Sequence, residues 1–271
     1  MTGAASSWQV CGASCRGRMH IRTGRPNEDA FAFQPEAGAA SRIVASVSDG
    51  HGSAPHFRSG KGAEIAAQTI SDILAWNIDS PDEDELDDGL AGQIIAHWRE
   101  SIFADAEAHP FSKEEEQLCR GLVPIAYGST LIGFVANGQL CHMLQIGDGD
   151  LLLGFADGRI ERPLRADEGL HGEETYSLCQ DDAEQHFRVA SLWREVDGRW
   201  PDFAMLATDG VSKSFADDAA FYDAAAQLRS LAFEDWDALT GELAEWLDRV
   251  SQHGSGDDST MCIAIRQGAR D

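Results

Sequence analysis

The sequence lacks any apolar run long enough to cross a membrane. No uninterrupted apolar stretch reaches the roughly 18 residues that a membrane-spanning helix needs. The N-terminus has no basic region followed by an apolar core, so no signal peptide is expected. These two absences predict a protein that has no membrane partner and is located in the cytoplasm.

Positive charge is scarce as well. The 271 residues include 21 Lys and Arg against 46 Asp and Glu, which gives a formal net charge of −25. A surface of this sign repels nucleic acid and anionic lipid at long range, so no nucleic-acid partner is expected. Between positions 79 and 88, seven of ten residues are acidic. This segment is interpreted as a solvated loop, with partner docking or metal buffering as the alternative.

Several nucleophile and phosphate-binding motifs are absent. The six cysteines form no C-x-x-C pair and have no Cys or His partners at zinc spacing, so reduced thiols are expected. No G-x-S-x-G motif occurs, and no cysteine is followed by arginine six positions later. Neither Ser nor Thr follows Lys61, so positions 60–62 are not a P-loop. Covalent catalysis by serine or cysteine therefore has no support in the sequence.

The order of predicted elements favours an α+β fold. Strands cluster with strands and helices come in pairs, which is typical of two packed antiparallel β-sheets flanked by pairs of α-helices, a four-layer sandwich. Residues 1–271 are interpreted as one domain with its core at about 8–266. Strands are predicted at 8–13, 30–33, 43–47, 129–136, 139–146, 151–155, 203–207 and 261–265, with the three from 129 to 155 as a meander with tight hairpins. Helices are predicted at 62–76, 90–106, 113–120, 217–231 and 236–250.

Acidic residues follow or precede several of these strands. Asp49, Asp148 and Asp209 each lie at the end of an apolar strand beside a glycine. Two acidic pairs, 28–29 and 257–258, come just before strands. A single Asp-Gly is most simply a turn, but together these residues place carboxylates at the ends of core strands.

Such a cluster needs a cation to offset its repulsion, because few basic residues neighbour these acids in the sequence. Oxygen ligands suit the hard ions Mg²⁺ and Mn²⁺. Two such ions lower the pKa of a shared water, so that hydroxide attacks a phosphoester in line.

The order of these motifs resembles the metal-dependent protein phosphatases, the PPM or type 2C family of serine/threonine phosphatases. The resemblance extends from about residue 17 to 265. It rests on six motifs in order: Asn27-Glu28-Asp29-Ala30, Asp49-Gly50-His51-Gly52, Gly128-Ser129-Thr130, Ile146-Gly147-Asp148, Ala207-Thr208-Asp209-Gly210 and Asp257-Asp258-Ser259-Thr260.

The resemblance implies a role for each motif residue. Asp49 would bridge both metal ions, the Gly50 carbonyl would bind the second, and Asp209 and Asp257 would bind the first. Glu28 and Asp29 would act largely through waters, and Asp148 would match the ligand of a third, weaker ion in bacterial members. His51 would be the general acid that protonates the leaving oxygen, for which its ordinary pKa near 6.5 is suited.

The chain departs from the family pattern at the phosphate-binding arginine. Many members carry it four residues before the glutamate, where this chain has Gly24. Arg25 is the favoured replacement and Arg22 is the second candidate, because a guanidinium pairs well with phosphate. An equally supported interpretation is that Arg25 forms a salt bridge to the acidic surface instead.

The 147–150 and 257–258 motifs also differ from the usual residues and resemble a bacterial branch. The hydroxyls of Thr208 and Ser129-Thr130 either orient ligands or belong to core strands. The irregular stretch 165–185 falls at the family's mobile flap and is expected to shape substrate choice.

Three functions follow as hypotheses. The first is a Mg²⁺- or Mn²⁺-dependent protein serine/threonine phosphatase with two ions, or three if Asp148 binds one. Its partner would be a phosphorylated protein, either a serine/threonine kinase or a kinase target. The second is a catalytically weak binding module of the same fold that recognises a phosphoprotein or a kinase. The third is a phosphohydrolase that acts on a small molecule such as a nucleotide.

Overall fold

The chain folds as two five-stranded antiparallel sheets between layers of helices. The computed structural model describes residues 7–77, 89–165, 167 and 175–268, so the acidic segment 79–88 lies outside the described residues. The strands are β1 (Ser7–Cys15), β2 (Ala30–Gln34), β3 (Ile43–Ser48), β4 (Leu131–Ala136), β5 (Leu140–Ile146), β6 (Asp150–Phe155), β7 (Ile160–Glu161), β8 (Arg188–Trp193), β9 (Pro201–Ala207) and β10 (Ser259–Gln267). One sheet has the order β1-β10-β9-β6-β7 and the other has β2-β3-β4-β5-β8. This architecture confirms the predicted fold class.

Helices cover the outer face of each sheet. They are α1 (Arg18–Thr23), α2 (Ser59–Asn77), α3 (Leu90–Ala108), α4 (Lys113–Leu118), α5 (Val123–Ala126), α6 (Arg194–Asp197), α7 (Asp209–Ser212), α8 (Asp218–Glu234) and α9 (Trp236–His253). Helices α2 and α3 pack on the sheet that contains β4, through residues such as Ile70, Trp98 and Leu144. Helices α8 and α9 pack on the other sheet, through residues such as Phe221 and Leu243. None of the described helices is both long and apolar enough to span a lipid bilayer.

A third cluster of buried side chains fills the space between the two sheets. It includes Trp8, Phe134, Met143, Leu153 and Cys262. Because β3, β4, β5 and β6 are covered on both faces, all of their residues are buried. Double coverage explains why these strands are mostly apolar in sequence, without one regularly polar face. All six cysteines are free thiols, as predicted.

The predicted meander is wrong at its second connection. Strands β4 and β5 do form a hairpin, but β6 does not pair with β5. Instead β6 pairs with β9 and β7 in the other sheet, so positions 147–149 cross between the sheets. A Cβ on Gly149 would lie 2.7 Å from the Ala207 carbonyl oxygen, which shows how closely this crossing packs against β9. An Asp-Gly pair predicts a turn but does not indicate which sheet the next strand joins.

Candidate active site

The register of the two sheets brings the acidic segments to one end of the sandwich. Ala30 pairs with Ser48, so Asp29 and Asp49 flank the same pair of strands. In the other sheet Ala207 pairs with both Met261 and Asp150. The end of β9, the beginning of β10 and the beginning of β6 therefore lie together. Five separate parts of the chain contribute carboxylates at this end.

Asp49 lies at the centre of this arrangement. Its backbone is fixed by Thr130, whose amide donates to the Asp49 carbonyl at 2.8 Å and whose Oγ1 accepts from the Asp49 amide at 3.1 Å. Burial raises the pKa of Asp49 well above its usual range, and the charges of Asp29 and Asp209 raise it further. The ionised form of Asp49 is thus unfavourable when no cation is nearby.

Asp29 is in a similar electrostatic environment. Burial raises its pKa well above the usual range, and the charges of Asp258 and Asp209 add to the effect. The hydroxyl of Thr208 donates to Asp29 Oδ2 at 2.7 Å and partly offsets these effects. The Thr208 hydroxyl therefore acts on a site carboxylate and also accepts from the Thr260 amide at 3.0 Å.

Asp209 begins helix α7 and has a basic neighbour that the motif analysis missed. Lys213, one turn further on, places its Nζ in hydrogen-bonding contact with Asp209 Oδ2 and 3.7 Å from Asp148 Oδ2. The other oxygen, Asp209 Oδ1, is buried and accepts no hydrogen bond among the described residues. The spacing of four residues was a usable signal, because residues at i and i+4 share one face of a helix.

Glu28 is buried, and two side chains donate hydrogen bonds to its carboxylate. Its Oε1 accepts from Ser59 Oγ at 3.1 Å, and its Oε2 accepts from Arg25 at 2.5 Å. The guanidinium of Arg25 lies directly over Gly52, since a Cβ on Gly52 would be 2.6 Å from Arg25 Nη2. Arg22, by contrast, is exposed on α1 and contacts none of the site residues that the structure describes. Only one of the two candidate arginines therefore lies beside the acidic cluster.

The two aspartates of the last motif have different surroundings. Asp257 is half-exposed at the rim of the site. Asp258 is buried, and its two oxygens accept from the backbone amides of Gly17 and Glu28, both at 2.7 Å. His20 Nδ1 lies 2.7 Å from Asp258 Oδ2. This contact joins residues more than 200 positions apart, so no local pattern predicts it.

Gly50 and His51 continue the segment after Asp49. The Gly50 amide donates to the Glu28 carbonyl at 3.1 Å, and a Cβ at this position would lie 2.6 Å from the same oxygen, so only glycine fits. The His51 ring stacks edge-to-face on His56, with 5.0 Å between ring centroids. Burial, and after it the charge of His56, lower the pKa of His51 to about 4. The sequence-based expectation that His51 keeps its ordinary pKa is therefore wrong, because it took no account of burial.

The donor set fits a hard divalent cation in its chemistry. The converging side chains offer only carboxylate oxygens, two of them have a raised pKa, and Asp209 Oδ1 has no hydrogen-bond donor. Within the described residues, however, no three acidic, histidine or cysteine side chains form a ready-made ligand group. Small side-chain movements would have to accompany ion binding.

A family model for protein phosphatase 2C matches residues 16–248. The chain belongs to the protein phosphatase 2C family. The match includes the segments with Asp29, Asp49, Asp148 and Asp209 and ends before the 257–258 pair. No curated protein matches the chain in sequence.

Solved structures of bacterial phosphatases share its fold. PppA, a key regulatory component of T6SS in Pseudomonas aeruginosa, is 21% identical, with a TM-score of 0.60 over 97% of this chain and all (100%) of that one. The catalytic domain of the serine threonine protein phosphatase PstP, solved in complex with two manganese ions, is 20% identical, with a TM-score of 0.58 over 96% and 99% of the two chains. The Mycobacterium tuberculosis serine/threonine phosphatase PstP/Ppp is 17% identical, with a TM-score of 0.54 over 96% and 98%.

Proposed function

We propose that this chain is a Mg²⁺- or Mn²⁺-dependent protein serine/threonine phosphatase. One observation carries the proposal: carboxylates from five parts of the chain meet at one end of the sandwich, where burial and mutual repulsion raise the pKa of Asp29 and Asp49. A cluster of this kind costs folding stability unless cations bind it. Membership of the protein phosphatase 2C family and the manganese-bound PstP structure support the same reading.

The proposed ligands are those that the family resemblance implies. The carboxylates of Asp49, Asp209 and Asp257 and the carbonyl of Gly50 would hold two ions. Glu28 and Asp29 would act mainly through waters, since Arg25 and Thr208 already hydrogen-bond to their carboxylates. When bound, such ions supply a water of lowered pKa that is able to attack phosphorus.

Arg25 is the residue we assign to the substrate phosphate. Its guanidinium lies over Gly52 at the edge of the acidic cluster, and Glu28 fixes its orientation. A guanidinium matches phosphate oxygens with paired N–H donors. Arg22 makes no contact with the site within the described residues and is not assigned this role.

His51 would protonate the leaving serine or threonine oxygen. With a pKa lowered to about 4, the imidazole of the free protein is neutral at pH 7. A phosphate dianion beside the ring would favour the imidazolium form, because a nearby negative charge raises the pKa of histidine. His51 would therefore take up its second proton only when substrate is bound.

The proposed substrate is a phosphoserine or phosphothreonine protein, which a serine/threonine kinase must supply. A binding module of the same fold is the second candidate. It is favoured by Arg25 and Lys213, which already neutralise two of the carboxylates. In that case partner binding would survive chelation of metal.

We also propose that the protein is located in the cytoplasm.

Hydrolysis of a phosphothreonine peptide, a nucleotide and p-nitrophenyl phosphate, each with Mn²⁺ and with chelator, tests the proposal. We expect Mn²⁺-dependent turnover with the highest kcat/KM on the peptide. Asp209→Asn should lower kcat/KM by more than about tenfold. The matched control is Asp157→Asn, in an exposed turn, which should leave activity unchanged. Equal rates on nucleotide and peptide would favour a small-molecule substrate.

A further inference from the structure

Lys213 has no role in the phosphatase mechanism proposed above. Its Nζ contacts Asp209 Oδ2 and lies 3.7 Å from Asp148 Oδ2. These two carboxylates come from different places, the end of β9 and the crossing between β5 and β6. The ammonium thus joins the segment after β9 to the connection that crosses between the two sheets.

We propose that the ammonium of Lys213 takes the place of a third divalent cation between Asp148 and Asp209, so that this chain binds two ions and not three. The inference rests on the proposed function. It differs from the expectation that Asp148 binds a third ion. A lysine ammonium carries one positive charge and three donors, so it holds two carboxylates without binding from solution.

The contact is more than an exposed helical pair. Pairs at i and i+4 on a helix surface contribute little to stability. Asp209, however, is buried and lies beside Asp49, whose pKa its charge raises. Lys213 is therefore the nearest source of positive charge for this part of the cluster within the described residues. An ion between Asp148 and Asp209 would have to displace the ammonium against like-charge repulsion.

The same contact leaves room for the first of the two proposed ions. Lys213 occupies Oδ2 of Asp209, while Oδ1 is buried and accepts no hydrogen bond from the described residues. One carboxylate then serves two cations of different kinds, the fixed ammonium on one oxygen and a bound metal on the other. Among the described residues, Asp148 lies 3.7 Å from the ammonium and accepts from the Thr175 hydroxyl at 3.1 Å.

Counting bound Mn²⁺ by isothermal titration calorimetry tests the inference without reference to turnover. The wild type should bind two ions in the cluster. Lys213→Met, which keeps most of the length of a half-exposed side chain but removes its charge, should bind a third, weaker ion. Adding Asp148→Asn to Lys213→Met should abolish that third ion. Lys213→Arg, which keeps the charge, and Lys61→Met, which removes an exposed lysine on α2, should both bind two.

The outcomes separate this inference from the proposed function. A wild type that binds three ions, one of which is lost in Asp148→Asn, would overturn the inference. So would a folded Lys213→Met that binds two ions like the wild type, and in both cases the proposed function would stand. A wild type that binds no Mn²⁺ would overturn both.

Discussion

Asp49 lies in surroundings that oppose its own charge. Burial is the largest cause of its raised pKa, and the charges of Asp29 and Asp209 add to the effect. The folded chain without metal therefore binds a proton at Asp49 more tightly than the unfolded chain does. A raised pKa of this kind makes the metal-free fold more stable as pH falls. Bound cations reverse the situation, because they stabilise the ionised carboxylate.

Asp49→Asn should therefore have opposite effects with and without metal. In chelator the variant should melt at a higher temperature than the wild type, since the neutral amide removes the repulsion. In saturating Mn²⁺ the wild type gains about 2.7 kcal/mol when the ion is at 100 times its Kd, and the variant should lose most of this gain. Scanning calorimetry in both conditions measures the change. A variant less stable than the wild type in chelator would contradict this account.

Single residues of the site differ in how well the sequence predicted them. Asp49, Asp209 and Glu28 were visible because each belongs to a short motif at a strand end. The Asp258–His20 pair was not, because it depends on β10 pairing with β1 and on α1, a six-residue helix without an apolar face. The lowered pKa of His51 was also missed, since burial by distant segments leaves no trace in local sequence.

The contact between helix α2 and the segment after α5 depends on the absence of a side chain. A Cβ on Gly62 would lie 1.9 Å from the Tyr127 carbonyl oxygen, which is far inside van der Waals contact. Trp98 also donates its indole N–H to the Gly62 carbonyl at 3.0 Å, so α3 joins the same contact. A displacement of helix α2 would disturb its packing on the sheet. It would also move Ser59, whose hydroxyl donates to Glu28.

Gly62→Ala should destabilise the fold by more than about 2 kcal/mol, because a methyl group has no space there. The matched control is Gly241→Ala in helix α9, where nothing lies within 4 Å of the added Cβ. This second substitution should stabilise the protein by about 0.5–1 kcal/mol, since alanine is the better helix former. Urea denaturation measures both. Equal effects of the two substitutions would show that α2 tolerates displacement.

Elements in the interior were predicted better than those at the edges. The apolar runs at 43–47 and 203–207 gave β3 and β9 because central strands must be buried on both faces. Edge strand β8 was missed, since its residues are only partly buried and it follows the irregular stretch. The crossing at 147–149 was taken for a hairpin, because the sequence does not encode which sheet β6 joins.

At the scale of the whole molecule, the layers place a neutral histidine deep inside an acidic protein. His142 on β5 is fully buried, and its Nδ1 lies 2.8 Å from Ser191 Oγ. Burial lowers its pKa from the usual 6.5 to about 4. Its contribution to stability is thus complete above about pH 6.5 and is lost as pH falls towards about 4.

The difference in unfolding free energy between wild type and His142→Gln should accordingly depend on pH. The wild type should lose about 2–3 kcal/mol more than the variant between about pH 7.5 and about pH 4.5. Titration of the carboxylate cluster is common to both proteins and cancels in the difference. His97→Gln, which removes an exposed histidine on α3, is the control. Denaturant midpoints that move in parallel for wild type and His142→Gln would contradict the prediction.

The two-sheet architecture and the end of it that carries the carboxylates were both predictable from the sequence. Apolar strands, paired helices and acidic strand ends are local patterns, and their order resembled one family. Contacts between distant segments of the site were not predictable. The approach of Lys213 to Asp148 and the pairing of Asp258 with His20 depend on side-chain directions that only the assembled layers fix.

The most direct test of the central claim is the rate of phosphothreonine peptide hydrolysis by the wild type and Asp49→Asn, each with Mn²⁺ and with chelator. We predict turnover only for the wild type in Mn²⁺, because the ionised Asp49 and the metal are both required. Equal turnover by Asp49→Asn, or turnover by the wild type in chelator, would contradict the claim that this acidic cluster is a metal-dependent phosphatase centre.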